Sequence, residues 1–226
     1  FLNKVIEQYD SELSMPNSRF FSCLLIIVGL LPFSFNLSYA TSLEDTIPNN
    51  IIMYHRFGET KYPSTNITEE QLDSHLSFLI EENYRFIQAS ALMDPSQQNE
   101  KTITITIDDA YLSFYEVGLP VFEKYKVPVT LFLNTENVGG FNYMSWDQLR
   151  DALNRGVEIQ NHSHTHSSFA TLDDKTIISE IETSQSLILA NLNITPNLFA
   201  FPFGESSNAA QKIIEKYFDA AFGQHS

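Results

Sequence analysis

From residue 48 onward the apolar positions fall into short runs divided by polar, capped segments, with a period that switches between two and about 3.6 residues. Residues 102–107 alternate threonine and isoleucine without a break, the period of a strand with two unlike faces. Thr68 and Gln71 form a capping box ahead of a helix whose apolar positions are Leu72, Leu76 and Leu79, and Ser145 with Gln148 does the same for a helix ending before Gly156. A long helix is predicted from Asp173 to about Leu192, with Ile177, Ile178, Ile181 and Leu187 on one face. Further helices are predicted over residues 112–125 and 208–218. Strands are predicted at 50–55, around Phe86, and at 102–108, 128–133, 157–161, 198–201 and 219–222. That makes seven strands, each but the last followed by a helix, as a parallel βα barrel requires. Such a barrel builds its site at the C-terminal ends of the strands, so polar clusters should collect there.

The first 40 residues break this rhythm. Residues 1–14 are polar and mixed in charge, and read as an upstream extension outside the native mature protein. Residues 15–19 form a short basic region and 20–35 an apolar one, and Ser38-Tyr39-Ala40 sets small residues at both cleavage positions. The stretch 15–40 reads as a signal peptide, which predicts an exported, periplasmic or extracellular protein with no stable membrane span after cleavage. The competing reading, an uncleaved anchor helix, is opposed by Pro32 and by an apolar run short of the ~20 residues that span a bilayer. The only cysteine, Cys23, lies inside this segment, so a disulfide scaffold is excluded. With 18 Phe and 10 Tyr the chain can bury enough surface to fold, and a net charge of −15 speaks against a nucleic-acid partner. Residues 41–226 are read as one domain, and its oligomeric state is not legible.

Three polar clusters do fall at predicted strand ends. Asp108 and Asp109 stand where the Thr/Ile strand stops; two adjacent carboxylates raise each other's pKa unless a cation shares the site, though a helix N-cap with a neighbouring acid fits the same residues. His162-Ser163-His164-Thr165-His166 follows the 157–161 strand, and imidazoles four apart in a loop can converge on one metal ion. A carboxylate from another strand would complete a set with open positions; a solvated polar loop is the plainer alternative. Phe201-Pro202-Phe203-Gly204 marks a strand end and a turn.

Together these residues resemble the polysaccharide deacetylases of carbohydrate esterase family 4, the NodB homology domain, over residues 48–226. The resemblance rests on Thr106-Ile107-Asp108-Asp109 and on the His162 to His166 motif, with weaker support from Met53-Tyr54-His55-Arg56 and Trp146-Asp147. It implies an α/β fold, a distorted seven-stranded parallel (β/α) barrel of the NodB type, truncated at its C-terminal end. It also implies that Asp109, His162 and His166 bind one divalent metal ion, usually zinc, with cobalt, nickel or iron also suited to such ligands. Asp108 would be the base, and the Phe203 backbone N–H would hold the oxyanion. The implied reaction removes N-acetyl groups from a β-linked N-acetylglucosamine-type polysaccharide and releases acetate.

Two positions depart from the family pattern. Ala200 stands where members commonly carry an arginine, which resembles the branch acting on poly-N-acetylglucosamine. No late histidine motif follows Phe222; Gly223 to Ser226 look like an interrupted loop, and His55 is the best internal substitute for the general acid. His164 is expected to be a solvent-facing filler. Tyr54, Tyr111, Tyr143, Trp146 and Phe203 are candidates for stacking on sugar rings, with core packing as the alternative. Asn66 and Asn193 open glycosylation-type triplets that carry meaning only in a eukaryotic secretory route. An O-acetyl glycan (xylan) esterase and a catalytically silent glycan-binding module remain as other readings of the same residues.

Overall fold

The Thr/Ile alternation becomes the middle of a curled sheet. The computed structural model describes residues 5–8, 50–97 and 101–224. Its strands are β1 (Val5–Gln8), β2 (Asn50–Tyr54), β3 (Arg56–Phe57), β4 (Asn66–Ile67), β5 (Arg85–Ile87), β6 (Thr102–Asp108), β7 (Thr130–Leu133), β8 (Glu158–Asn161), β9 (Leu198–Ala200) and β10 (Ala220–Gln224). The helices are α1 (Glu69–Glu81), α2 (Leu119–Tyr125), α3 (Trp146–Asn154), α4 (Asp174–Leu192) and α5 (Asn208–Ile214). All pairings in the main sheet are parallel, in the order β1-β10-β9-β8-β7-β6-β2. β5 pairs with the first half of β6, up to Thr104, and β7 takes over from Thr106. β1 pairs with β10 and comes within 8 Å of β2, Cα to Cα, so the curled sheet approaches itself.

All seven predicted strands are present, and β3 and β4 form a separate two-stranded ribbon. Period-two alternation sorts their side chains. Ile105, Ile107, Leu131, Leu133 and Ile159 face outward into the core under the helices, each fully buried aliphatic side chain contributing about 1.5–3 kcal/mol. Ile51, Ile87, Phe132, Leu198 and Phe222 fill the inside. The inner face of β6 is threonine, at 102, 104 and 106, all buried, so this strand carries polar groups into the interior and ends on Asp108 with the same phase.

Both capping boxes form as predicted. Several boundaries differ. β7 starts at Thr130 because Pro128 has no N–H for the ladder. No α-helix follows β5; two short 3₁₀ segments, Ala89–Met93 and Pro95–Gln97, stand there instead. The predicted 112–125 helix contains a wide turn at Phe114–Gly118, just where Pro120 has no N–H to return to the preceding turn. Gly118 in that turn lies under the Phe57 ring, and a Cβ there would come within 2.9 Å of it. α5 stops at Ile214, before Phe218, and Gly223 and Gln224 extend β10 where a loop was expected.

The buried stripe of α4 is Ile177, Glu180, Ile181, Ser184, Ile188 and Leu192; Ile178 and Leu187 sit to its side. Of the triplet asparagines, Asn193 is the left-handed C-cap of α4, and Asn66 Oδ1 accepts the Glu59 N–H. No helix among the described residues is long and apolar enough to cross a membrane. The segment read as a signal peptide, with Cys23, lies outside the described residues.

Candidate metal centre

At the C-terminal end of β6 two consecutive carboxylates reach the same side of the sheet. Asp108 keeps the inward phase of the threonines, and in a continuing strand Asp109 would point the other way. Positive φ at Asp109 (73°) and Ala110 (58°) turns the chain, and brings Asp109 to the histidines. The histidine loop is bent in the same manner, with φ of 71° at Ser163 and 59° at His166, and Phe203 has φ 59°. Five non-glycine residues with strained backbone around one point are held there by the packing about them.

Asp109, His162 and His166 each offer one ligand atom, and these atoms all lie within 4.8 Å of one another. His166 Nε2 is 3.1 Å and His162 Nε2 3.6 Å from Asp109 Oδ1. Ligand atoms bound to one ion at about 2.0–2.2 Å are separated by roughly 3.0–3.4 Å, so only small movements are needed. His162 Nδ1 lies 2.8 Å from the Ala200 carbonyl, which can only accept; Nδ1 therefore carries the proton and Nε2 a lone pair. Burial pushes this imidazole down to about 4, although Asp109 pulls the other way, so it is neutral at neutral pH. An acceptor nitrogen thus faces a carboxylate oxygen.

Asp108 reinforces the point. Its Oδ1 is buried without a hydrogen-bond partner, and burial together with the adjacent Asp109 raises its pKa well above the usual range. For Asp109 burial acts in the same direction, but the hydrogen bond from His166 and the surrounding imidazoles outweigh it and hold the carboxyl well below that range. Two imidazole nitrogens and one ionised carboxylate, with an unpartnered carboxylate alongside, fit a divalent cation such as zinc, cobalt, nickel or iron.

The other expected residues divide. His55, at the exit of β2, is close enough to act electrostatically on both Asp109 and His162. Phe203 is 60% exposed and meets the His166 ring edge-on at 4.6 Å between centroids. Tyr54 and Tyr111 are buried and Trp146 packs against the core, while Tyr143 is half-buried against Tyr111, at 4.8 Å between ring centroids. The aromatic rings exposed on the loops after the strands are Phe203, Tyr62 and Phe141. His164 is half-buried rather than solvent-facing, with Nδ1 2.9 Å from Thr135 Oγ1.

Some contributors were not legible in the sequence. Asn134, the residue after β7, donates from Nδ2 to Asp109 Oδ1 at 2.9 Å and is steadied by Asn137. Its place at a strand end was the available signal. Asn161 and Ser184 bond each other, Asn161 Oδ1 accepts the Ser163 N–H, and Ser163 Oγ accepts the His166 N–H. Glu180 accepts from His164 and Thr165; an acid inside an apolar helix stripe was its only mark.

Comparison with known proteins agrees with this geometry. Residues 96–218, more than half of the chain, match the profile of the family described as Polysaccharide deacetylase. The chain belongs to that family.

YxkH of Bacillus subtilis (strain 168), which carries a provisional polysaccharide deacetylase name, is 24% identical over 74% of this chain. The chain spans 60% of the length of YxkH. A poly-beta-1,6-N-acetyl-D-glucosamine N-deacetylase of Staphylococcus aureus is 22% identical over 80% of this chain and 68% of its own length. The structure of IcaB from Ammonifex degensii superposes with a TM-score of 0.69 at 21% identity, over 77% of this chain and 82% of IcaB. The likeness to IcaB confirms the barrel-type fold.

Proposed function

We propose that this member of the polysaccharide deacetylase family hydrolyses N-acetyl groups from a β-linked N-acetylglucosamine-type polysaccharide outside the cytoplasm, using one divalent metal ion, zinc in the first instance. The observation that carries it is the convergence of Asp109, His162 and His166 beside the unpartnered Asp108 Oδ1, all at strand exits. The choice of N-acetylglucosamine polymer is supported by the name of the Staphylococcus aureus relative, and export by the 15–40 segment.

Asp109, His162 and His166 hold the ion, which supplies Lewis acidity toward the acetyl carbonyl and toward water. Asp108 is the base. It stands beside the residues that would hold the ion, and its unpartnered oxygen takes a proton from the attacking water. The Phe203 N–H, in the turn after Pro202, donates to the developing oxyanion. His55 gives a proton to the departing amine, so that acetate and a free amino sugar leave. No Lys or Arg pairs with Asp108 among the described residues, so burial and Asp109 set its basicity where an arginine would otherwise contribute.

The test is acetate release from N-acetylglucosamine oligomers after chelation and after return of zinc or cobalt, with an O-acetylated xylan in parallel. Release from the N-acetyl substrate that requires added metal is the expected result. Release from the O-acetyl substrate alone would assign an esterase, and neither release with one ion bound per chain would assign a glycan-binding module.

A further inference from the structure

We propose that Glu180 is the positioning residue that keeps His162 and His166 aimed at one ion, an inference that rests on the metal reading above. The two imidazoles are separated by Ser163, His164 and Thr165, and the backbone on either side is left-handed, at Ser163 (φ 71°) and His166 (φ 59°). A loop in that conformation relaxes unless contacts outside it fix its amides. One carboxylate does so. Glu180 Oε2 accepts the N–H of His164 at 3.0 Å and that of Thr165 at 2.8 Å, and Oε1 accepts the Thr165 hydroxyl at 2.8 Å.

Glu180 is 7% exposed, lies in the apolar stripe of α4 between Ile177 and Ile181, and has no Lys or Arg partner among the described residues. A buried, unpaired carboxylate is costly, and three converging donors are what offset the cost. A glutamine in its place keeps the shape and one oxygen for the two backbone N–H groups, but it sets an N–H₂ where Oε1 accepted the Thr165 hydroxyl and removes the charge that strengthens all three bonds. Glu180 touches neither imidazole. It acts on them only through the chain between them, and α4, packed on the sheet through Ile177 and Ile181, gives the carboxylate a rigid mount. Ser163 and Asn161 fix the ends of the same loop from inside; Glu180 fixes its middle from a separate element.

The experiment compares the whole chain with Glu180→Gln and Thr165→Val, the second removing the hydroxyl that donates to Glu180 and also bonds Ser167 while keeping the backbone N–H. Amide exchange over residues 163–166 is measured in the metal-free proteins, and zinc and cobalt affinities are titrated, with the visible spectrum of the cobalt form recorded. In Glu180→Gln the exchange at His164 and Thr165 should rise at least about tenfold, metal affinity should fall by about 10–100-fold, and the cobalt bands should shift. Thr165→Val should move each readout in the same direction by less, and carries the test if Glu180→Gln does not fold. Wild-type exchange and affinity in a folded variant would overturn the proposal while leaving the metal reading intact. If the unaltered protein binds no divalent ion, the metal reading fails and the positioning role falls with it.

Discussion

At the N-terminal ends of β7 and β8, Arg155 gives two hydrogen bonds to Glu123, at 2.6 and 2.7 Å, and one to Asp151, which also accepts from Tyr115; these three charges are paired with one another and reach solvent. At the C-terminal ends of the neighbouring strands Asp108 is buried with an oxygen unpartnered, Asp109 faces a neutral imidazole, and the backbone is strained at five positions. The same sheet thus has one end where electrostatics is satisfied within the chain and one where it is left open, as the proposed metal site requires. An unpartnered buried carboxyl lowers stability, and among the described residues it stands at the end of the sheet where perturbed groups would serve chemistry.

The sharpest way to break this contrast is Asp108→Asn. It should lower acetate release by about 10²–10⁴-fold, the range for a lost general base, while the melting temperature stays level or rises because an unpartnered buried carboxyl is gone. A variant that melts well below the parent would mean that Asp108 is structural and that the two ends do not differ as described. The opposite end gives the converse and smaller effect. Arg155→Ala should cost about 1 kcal/mol by urea unfolding, since the pair is bidentate but partly exposed, and should leave acetate release unchanged.

The smallest expected effect concerns His75, whose Nδ1 is 3.0 Å from the Tyr54 hydroxyl in the cleft beside His55. Burial lowers its pKa from 6.5, so the folded state disfavours the imidazolium. The stability it contributes is whole above about pH 6.5 and is lost as pH falls from there toward the lowered folded value, where the unfolded chain binds the proton first. Between pH 7.5 and 5.5 the parent should therefore lose more stability than His75→Gln; equal losses would show that this side of the site is not desolvated.

Much of the fold was readable because it depends on local pattern. Thr102 to Ile107, the Thr68 and Ser145 caps and the Asp173 start of α4 carry their conformations in adjacent residues. Pro128 and Pro120 shifted boundaries because a missing N–H matters only once the neighbouring strand or turn is in place. Ile178 and Leu187 were assigned to the buried face of α4 because hydrophobicity alone favours them over Glu180 and Ser184. Which residues are buried was settled by what the sheet and the histidine loop place opposite the helix.

The site shows the same division. The Asp108-Asp109 and His162 to His166 clusters were marked by residue type, spacing and position after strands, which is information the chain carries along its length, and the family resemblance picked the members expected to hold a metal. Left to the tertiary structure were that Asp109 turns back to join Asp108, that the Ala200 carbonyl selects the His162 tautomer, and that Asn134 and Glu180 hydrogen-bond Asp109 and the histidine loop from other elements. The hydrogen-bonded relations among these join residues 15 to 38 positions apart in contacts that no local rule can set, because burial and hydrogen-bond geometry exist only after the sheet has curled.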